Sequence, residues 1–247
     1  MQWHQVKRQF SMKETTLLEE DGFIQVSGNM QKNSWLLISL IICLACGKDS
    51  VVPELGLDYY PIEFGTYRVY DVEETTYLNK VPTTETYQLR ESIIVTGSEG
   101  EKSFLLDIKR RENPEEVWAS IKSIYLFQTN HILEYRDGNI SKVAMSYPVK
   151  VGRSWDGNAL NSEPQQLYRY EVGSNEGYSV DQIKVVLSDL PPNIVEQDER
   201  YEIYGKGIGL IERCFTMIEF CQSGCGAVNE PDNGVVLKQV LVEYGEE

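Results

Sequence analysis

The dominant pattern in residues 61–247 is a series of short runs of alternating apolar and polar residues, separated by turn residues. Successive side chains of a β-strand point to opposite faces, so this alternation indicates strands with one buried face. In the run at 84–96, for example, the apolar positions are Tyr87, Leu89, Ile93 and Val95. Asp137-Gly138, between two such runs, is a typical two-residue hairpin turn. The pattern predicts about ten strands and little helix.

Short links between consecutive strands favour an antiparallel meander. A sheet of this size tends to curl or to split into two layers, and closure removes its exposed edges. Tyrosine, which favours strands, occurs fifteen times, always after Cys46. We therefore expect an all-β antiparallel meander that forms a barrel or a strongly curved half-barrel. A two-layer β-sandwich is the alternative.

A second feature is the apolar run at 35–44, which ends in Ala45-Cys46-Gly47. This arrangement is typical of a bacterial lipoprotein signal, in which the cysteine receives the lipid. The run is shorter than the roughly 20 residues that a helix needs to cross a bilayer. Leu44, Ala45 and Cys46 fit the lipobox, whereas Cys43 stands where leucine is usual. We predict lipidation of Cys46; the alternative is an ordinary secretory signal cleaved near Ala45.

The charges that precede the apolar run predict where the signal begins. A signal peptide starts with a positive region, but 19–21 is acidic, whereas the stretch from Met30 carries only Lys32. Translation is therefore expected to start at Met30. The predicted organisation is a mis-annotated upstream extension at 1–29, a lipoprotein signal peptide at 30–45, a lipidated cysteine with a flexible tether at 46–60, and a single all-β domain at 61–247.

The net charge of −15 restricts the partners. A strongly acidic surface repels phosphate backbones, so nucleic-acid binding is not expected. It also repels anionic lipid headgroups, so membrane attachment would depend on the N-terminal lipid. The remaining candidate partners are an unknown envelope protein and an apolar ligand.

Three cysteines, Cys214, Cys221 and Cys225, remain if Cys46 is acylated. An exported protein meets an oxidising compartment, so one disulfide and one free thiol are expected. Cys221 with Cys225 is the favoured pair because Gly224 gives the short loop flexibility, and Cys214 is the other candidate. A zinc site needs three or four converging ligands, and His131 is the only histidine after Cys46, so no metal is predicted.

Sequence motifs of catalysis are not found. The chain has neither a nucleophile elbow nor a His-Glu-x-x-His motif. The glycines at 205–209 lack the spacing and the following helix of a dinucleotide-binding loop, and a bend of the barrel explains them better. We predict no catalytic residue and no cofactor.

The segment Trp155-Asp156-Gly157-Asn158 allows two interpretations. It can be a structural turn in which Trp155 covers the core, or a ligand contact in which Trp155, Asp156 and Asn158 hold a sugar. The first agrees with a non-catalytic binding or structural role. The second underlies the alternative function, a glycan-binding or glycan-hydrolysing surface lipoprotein.

Several short segments carry a resemblance to a known group of proteins: 60–67, 69–72, 87–91, 155–158 and 204–210. In these segments the chain resembles an uncharacterised Bacteroidota envelope lipoprotein family of the Cytophagia/Chitinophaga type. The resemblance implies an outer-membrane or periplasm-facing setting and no catalytic residues. In that phylum, acidic residues after the lipidated cysteine can direct export to the cell surface. Residues 47–50 contain a single acidic residue, so the choice between the periplasmic and the surface face of the outer membrane stays open.

Overall fold

The computed structural model describes residues 54–95 and 104–247. The predicted upstream extension, the signal peptide and Cys46 lie outside these residues. A single turn of 3₁₀ helix, Leu57–Tyr59, precedes twelve strands. The strands are β1 (Thr66–Leu78), β2 (Val81–Val95), β3 (Phe104–Arg111), β4 (Ala119–Gln128), β5 (Ile132–Asp137), β6 (Ile140–Ser146), β7 (Ser154–Asp156), β8 (Leu167–Val172), β9 (Gln182–Leu190), β10 (Glu196–Gly205), β11 (Gly209–Phe220) and β12 (Pro231–Glu246).

All twelve strands belong to one antiparallel sheet with the order β6-β5-β4-β3-β2-β1-β12-β11-β10-β9-β8-β7. The two outermost strands approach each other, since the amide of Val143 in β6 donates to the carbonyl of Gly157 after β7, at 2.9 Å. The indole of Trp155 donates to the carbonyl of Val143, also at 2.9 Å. The sheet therefore wraps into a nearly closed barrel instead of two layers, which confirms the predicted fold class.

The strand pattern differs from the prediction in two places. Strand β7 occupies a segment interpreted as a turn, because three residues are too few to show an alternation. The apolar pattern predicts a short strand over residues 201–204, whereas β10 already starts at Glu196. Its first half reads Glu-Gln-Asp-Glu-Arg and has no apolar face from which a strand could be recognised.

The barrel interior is filled by side chains, with tyrosine as the most prominent aromatic. Tyr70 and Val72 of β1 are buried on the inner face. Fully burying a large apolar side chain contributes about 1.5–3 kcal/mol, so the inner faces supply most of the stability. Buried tyrosine hydroxyls usually find a hydrogen-bond partner, and that of Tyr170 lies 3.1 Å from the amide and 3.2 Å from the carbonyl of Ser146.

Residues 54–64 close one end of the barrel. The ring of Tyr60 is 1% exposed and packs edge-on against Tyr135 and Tyr204 at centroid distances of 5.8 and 6.1 Å. The carbonyl of Leu55 accepts from the amide of Val149 at 2.9 Å. Residues 54–60, expected to belong to the tether, are thus part of the folded domain, because Tyr60 buries its ring inside the barrel. Among the described residues, no helix has the length and apolar character required to cross a membrane.

Candidate functional site

A cavity of about 480 Å³ lies between the inner faces of β4–β6 and β8–β11. Ligand pockets usually measure about 300–1,000 Å³, so the cavity has the size of a small-molecule site. Its apolar wall consists of Ile124, Ile140, Ala144, Tyr168, Leu187 and Phe215. Ile140 is 48% exposed, which leaves part of this wall in contact with solvent.

The cavity lies toward the end of the barrel that residues 54–64 leave open. Gln128, at the end of β4, donates its amide to the carbonyl of Tyr60 in the closing segment, at 3.4 Å. Lys122 lines the cavity from the same strand, six residues earlier. A strand rises about 3.3 Å per residue, so these positions are roughly 20 Å apart along β4. One end of the barrel is therefore closed, and the other presents the cavity.

Six charged residues line the cavity: Lys122, Asp137, Lys142, Arg200, Glu202 and Arg213. Three of the four cations have carboxylate partners. Lys122 pairs with Asp137 at 2.5 Å, Arg200 pairs with Asp198 at 2.6 Å, and Arg213 pairs with Glu202 at 2.7 Å. Lys142 has no carboxylate within ion-pair distance in the part of the chain that the structure describes. The open end thus carries one cation more than its acidic partners balance.

The floor of the cavity is a buried, hydrogen-bonded ion pair. Nε of Arg213 donates to Oε1 of Glu202 at 2.7 Å, and Nη1 of Arg213 donates to Oε1 of Gln239 at 3.1 Å. The other carboxylate oxygen of Glu202 accepts from the hydroxyl of Tyr204 at 2.5 Å. Charge-assisted bonds of this kind are shorter and stronger than neutral ones. The pair comes from neighbouring strands, because Glu202 in β10 is in register with Arg213 in β11.

Two further charged residues, Arg68 and Glu91, are buried behind this floor and do not line the cavity. Arg68 does not bond to Glu91 in the described residues but donates to the carbonyls of Ile208 and Pro61, at 2.6 and 3.2 Å. These residues are in register on β1 and β2. Burial raises the pKa of the Glu91 carboxyl, and the charges of Arg213 and Arg68 oppose that shift. The hydroxyl of Tyr70 donates to Glu91 at 3.3 Å. Two arginines and two glutamates therefore balance one another inside the barrel.

Two of these buried charged residues could have been recognised in the sequence, because they occupy positions in phase with apolar residues. Glu91 falls between Leu89 and Ile93 on the face predicted to be apolar, and it is 4% exposed. Arg213 stands in the same phase between Ile211 and Phe215. A charged residue in the phase of a buried face is the feature that could have identified both positions, but not their partners.

The predicted sugar contacts lie together at the junction of β6 and β7. The ring of Trp155 packs against Tyr168 at a centroid distance of 5.9 Å, and its indole nitrogen bonds to Val143. Oδ1 of Asp156 accepts from the amides of Asn158 and Gln166 at 2.9 and 3.0 Å.

The Asn158 side chain also bonds within the protein, donating to the carbonyl of Pro164 at 2.7 Å. Asn158 additionally lines a shallow surface depression with Lys142, next to the cavity. The polar groups of Trp155, Asp156 and Asn158 thus hold the junction, and sugar binding there stays a prediction.

The structure joins Cys221 to Cys225 in a disulfide with a Cα–Cα distance of 5.7 Å, and Cys214 carries a free, half-buried thiol. Within the described residues, one cluster of potential metal ligands occurs, formed by Cys221, Cys225 and Glu230. The two sulfur atoms are bonded to each other and are not available as thiolate ligands.

Comparisons with protein-family models, with curated proteins and with solved structures find no match. The resemblance to Bacteroidota lipoproteins therefore stays a prediction. Structural evidence on function comes from the cavity and from the residues that line it.

Proposed function

We propose that the protein is a lipid-anchored lipoprotein of the bacterial outer membrane, of the Bacteroidota type, with a non-catalytic binding role. The barrel binds a small, partly apolar ligand in the cavity at its open end. The observation that carries this proposal is a cavity of about 480 Å³ whose wall is partly apolar. It lies inside a barrel whose other end is closed by the segment that contains Tyr60.

The composition of the cavity wall favours an apolar ligand over a protein partner. Tyr168 and Leu187 face Ala144 and Ile140 across a space wide enough for a small molecule, whereas protein partners bind flatter surfaces. Removing apolar surface from water is worth about 25 cal/mol per Å², so a ligand that covers the exposed part of Ile140 gains affinity from it. The charged pair at the floor is already neutralised from within the protein.

Filling the cavity is expected to abolish ligand binding. Ala144 lines the cavity, and Ala144→Phe would place a ring in the space that the ligand occupies. N-phenyl-1-naphthylamine, an uncharged apolar dye, should fluoresce strongly with the native protein and weakly with the variant. The midpoint of thermal unfolding, measured for both, checks that the variant is folded, and Ala144→Leu serves as a smaller substitution. Equal dye binding by folded Ala144→Phe would contradict the proposal, as would binding of a soluble glycan without any apolar ligand.

Replacing Cys46 by alanine is expected to release the protein from the membrane, because the thiol that would carry the lipid is lost. In a fractionated cell envelope, the native protein should sediment with the membranes and Cys46→Ala should appear in the soluble fraction. Cys214→Ala is the matched control, since it removes a free thiol of the folded domain that lies outside the predicted signal and lipobox. Membrane retention of Cys46→Ala would show that the anchor lies elsewhere.

A further inference from the structure

We propose that the ligand is an amphiphile with a single anionic head, a carboxylate or a phosphate monoester, and that Lys142 binds this head at the open end of the cavity. The inference rests on the proposed function and specifies the ligand of that same site. Its basis is the position of Lys142 on the barrel wall and the pairing of the other charges around it.

Lys142 belongs to the inner face of the barrel although its side chain is exposed. It is in register with Tyr135 on β5, and the side chains of a directly opposed pair lie on the same face of an antiparallel sheet. Tyr135 lines the cavity, as do Ile140 and Ala144, two residues to either side of Lys142 on β6. Lys142 therefore lies at the rim of the cavity, on the inner face of the sheet, and also borders the adjoining surface depression.

Among the cations that line the cavity, Lys142 is the one available to a ligand. Glu163 lines the adjoining surface depression with Lys142, but the two form no ion pair within the described residues. Lys122 and Arg200 are occupied by Asp137 and Asp198, and Arg213 is held by Glu202. An anionic head at Lys142 would pair with the one cation of the cavity lining that has no carboxylate partner among the described residues. The protein has a net charge of −15 and therefore repels anions in general. A local cation is needed to bind an anionic head group.

The remaining wall fits the tail of such a ligand. From Lys142 the β6 strand continues to Ala144, whose small side chain leaves room, and Tyr168, Leu187 and Phe215 provide apolar contacts further along the cavity. A head group that carries a positive charge would instead meet the ammonium group of Lys142, which no carboxylate neutralises among the described residues. Specificity for an anionic head thus arises from both attraction and repulsion.

Displacement of bound N-phenyl-1-naphthylamine tests the proposal with ligands that share one chain length. Decanoate and decyl phosphate carry an anionic head, decan-1-ol is uncharged, and decyltrimethylammonium is cationic; each is used below its micelle-forming concentration. We expect the native protein to bind the better of the two anions at least tenfold more tightly than the alcohol, and the cation most weakly. Comparing decanoate with decyl phosphate identifies which head the site prefers.

The variant Lys142→Gln should weaken binding of the preferred anion about tenfold and change binding of decan-1-ol less than twofold. Lys150→Gln is the matched control, because Lys150 is also exposed but does not line the cavity. Equal affinity of anions and alcohol, tighter binding of the cation, or an unchanged Lys142→Gln would overturn the inference and leave the proposed function intact. Failure of the dye and of all four amphiphiles to bind would instead count against the proposed function itself.

Discussion

Arg213→Met is expected to lower the free energy of unfolding by about 3–5 kcal/mol, the usual cost of removing one partner from a buried ion pair. The side chain of Glu202 is 9% exposed and receives its shortest cationic contact from Arg213, at 2.7 Å. The charge of Arg213 also counteracts the burial of Glu91, whose pKa is already raised. Without Arg213, Glu202 would lose its ion-pair partner, and the charge of Arg68 would remain to oppose the burial of Glu91.

Urea unfolding of the folded domain measures the loss of unfolding free energy in Arg213→Met. Two further variants test whether the loss comes from an uncompensated buried charge. Arg169→Met removes an arginine that contacts Glu171 and Asp189 at 2.8 and 2.7 Å on the surface, where such pairs contribute only about 0–1 kcal/mol. The double variant Arg213→Met with Glu202→Gln should recover part of the loss, because the uncompensated charge is then absent. A loss for Arg213→Met no greater than for Arg169→Met would refute the importance of this buried charge.

Gly209→Ala is expected to destabilise the protein by about 2–5 kcal/mol through two separate effects. Gly209 has a φ of +97°, and a left-handed conformation costs about 1–2 kcal/mol for a residue with a side chain. A Cβ atom at this position would lie 2.5 Å from Nε of Arg68. Moving that guanidinium disturbs its 2.6 Å hydrogen bond to the carbonyl of Ile208, and overpacking of this kind costs about 1–3 kcal/mol.

Gly207→Ala separates the two effects within the same turn. Gly207 has a φ of +76°, but a Cβ atom there meets nothing within 4 Å. Its substitution should therefore cost only the backbone term, about 1–2 kcal/mol. The midpoints of urea unfolding of the two variants give the difference, and equal midpoints would show that Arg68 adapts without cost.

Much of the barrel could be predicted because its strands repeat a local signal. Apolar residues at every second position revealed strands such as β2, and Asp137-Gly138 revealed the turn between β5 and β6. The same signal fails where a strand is charged along its length, as in the first half of β10, or has three residues, as in β7. In these strands, pairing with neighbours that are already in place determines the structure, and propensity contributes little.

The candidate site was less accessible to prediction. Trp155, Asp156 and Asn158 attracted attention as an aromatic residue among polar ones, but their polar groups bond to Val143, Gln166 and Pro164 within the protein. Lys142 gave no signal, since an exposed lysine on a hairpin is ordinary. Its register with Tyr135 identifies it as a residue of the barrel interior, and register is not visible in the chain itself.

By itself, the sequence determined the fold class, because alternation, turn residues and tyrosine content are local properties that each strand carries separately. It also supplied the hypothesis of a lipid at Cys46. Only the tertiary structure decided which end of the barrel is closed, how Arg68, Glu91, Glu202 and Arg213 balance one another, and where the cavity lies. The bond from Arg68 to Ile208, for example, joins residues 140 positions apart. Such contacts form only when the sheet curves into a barrel, and the local pattern of apolar and polar residues does not show which distant residues then meet.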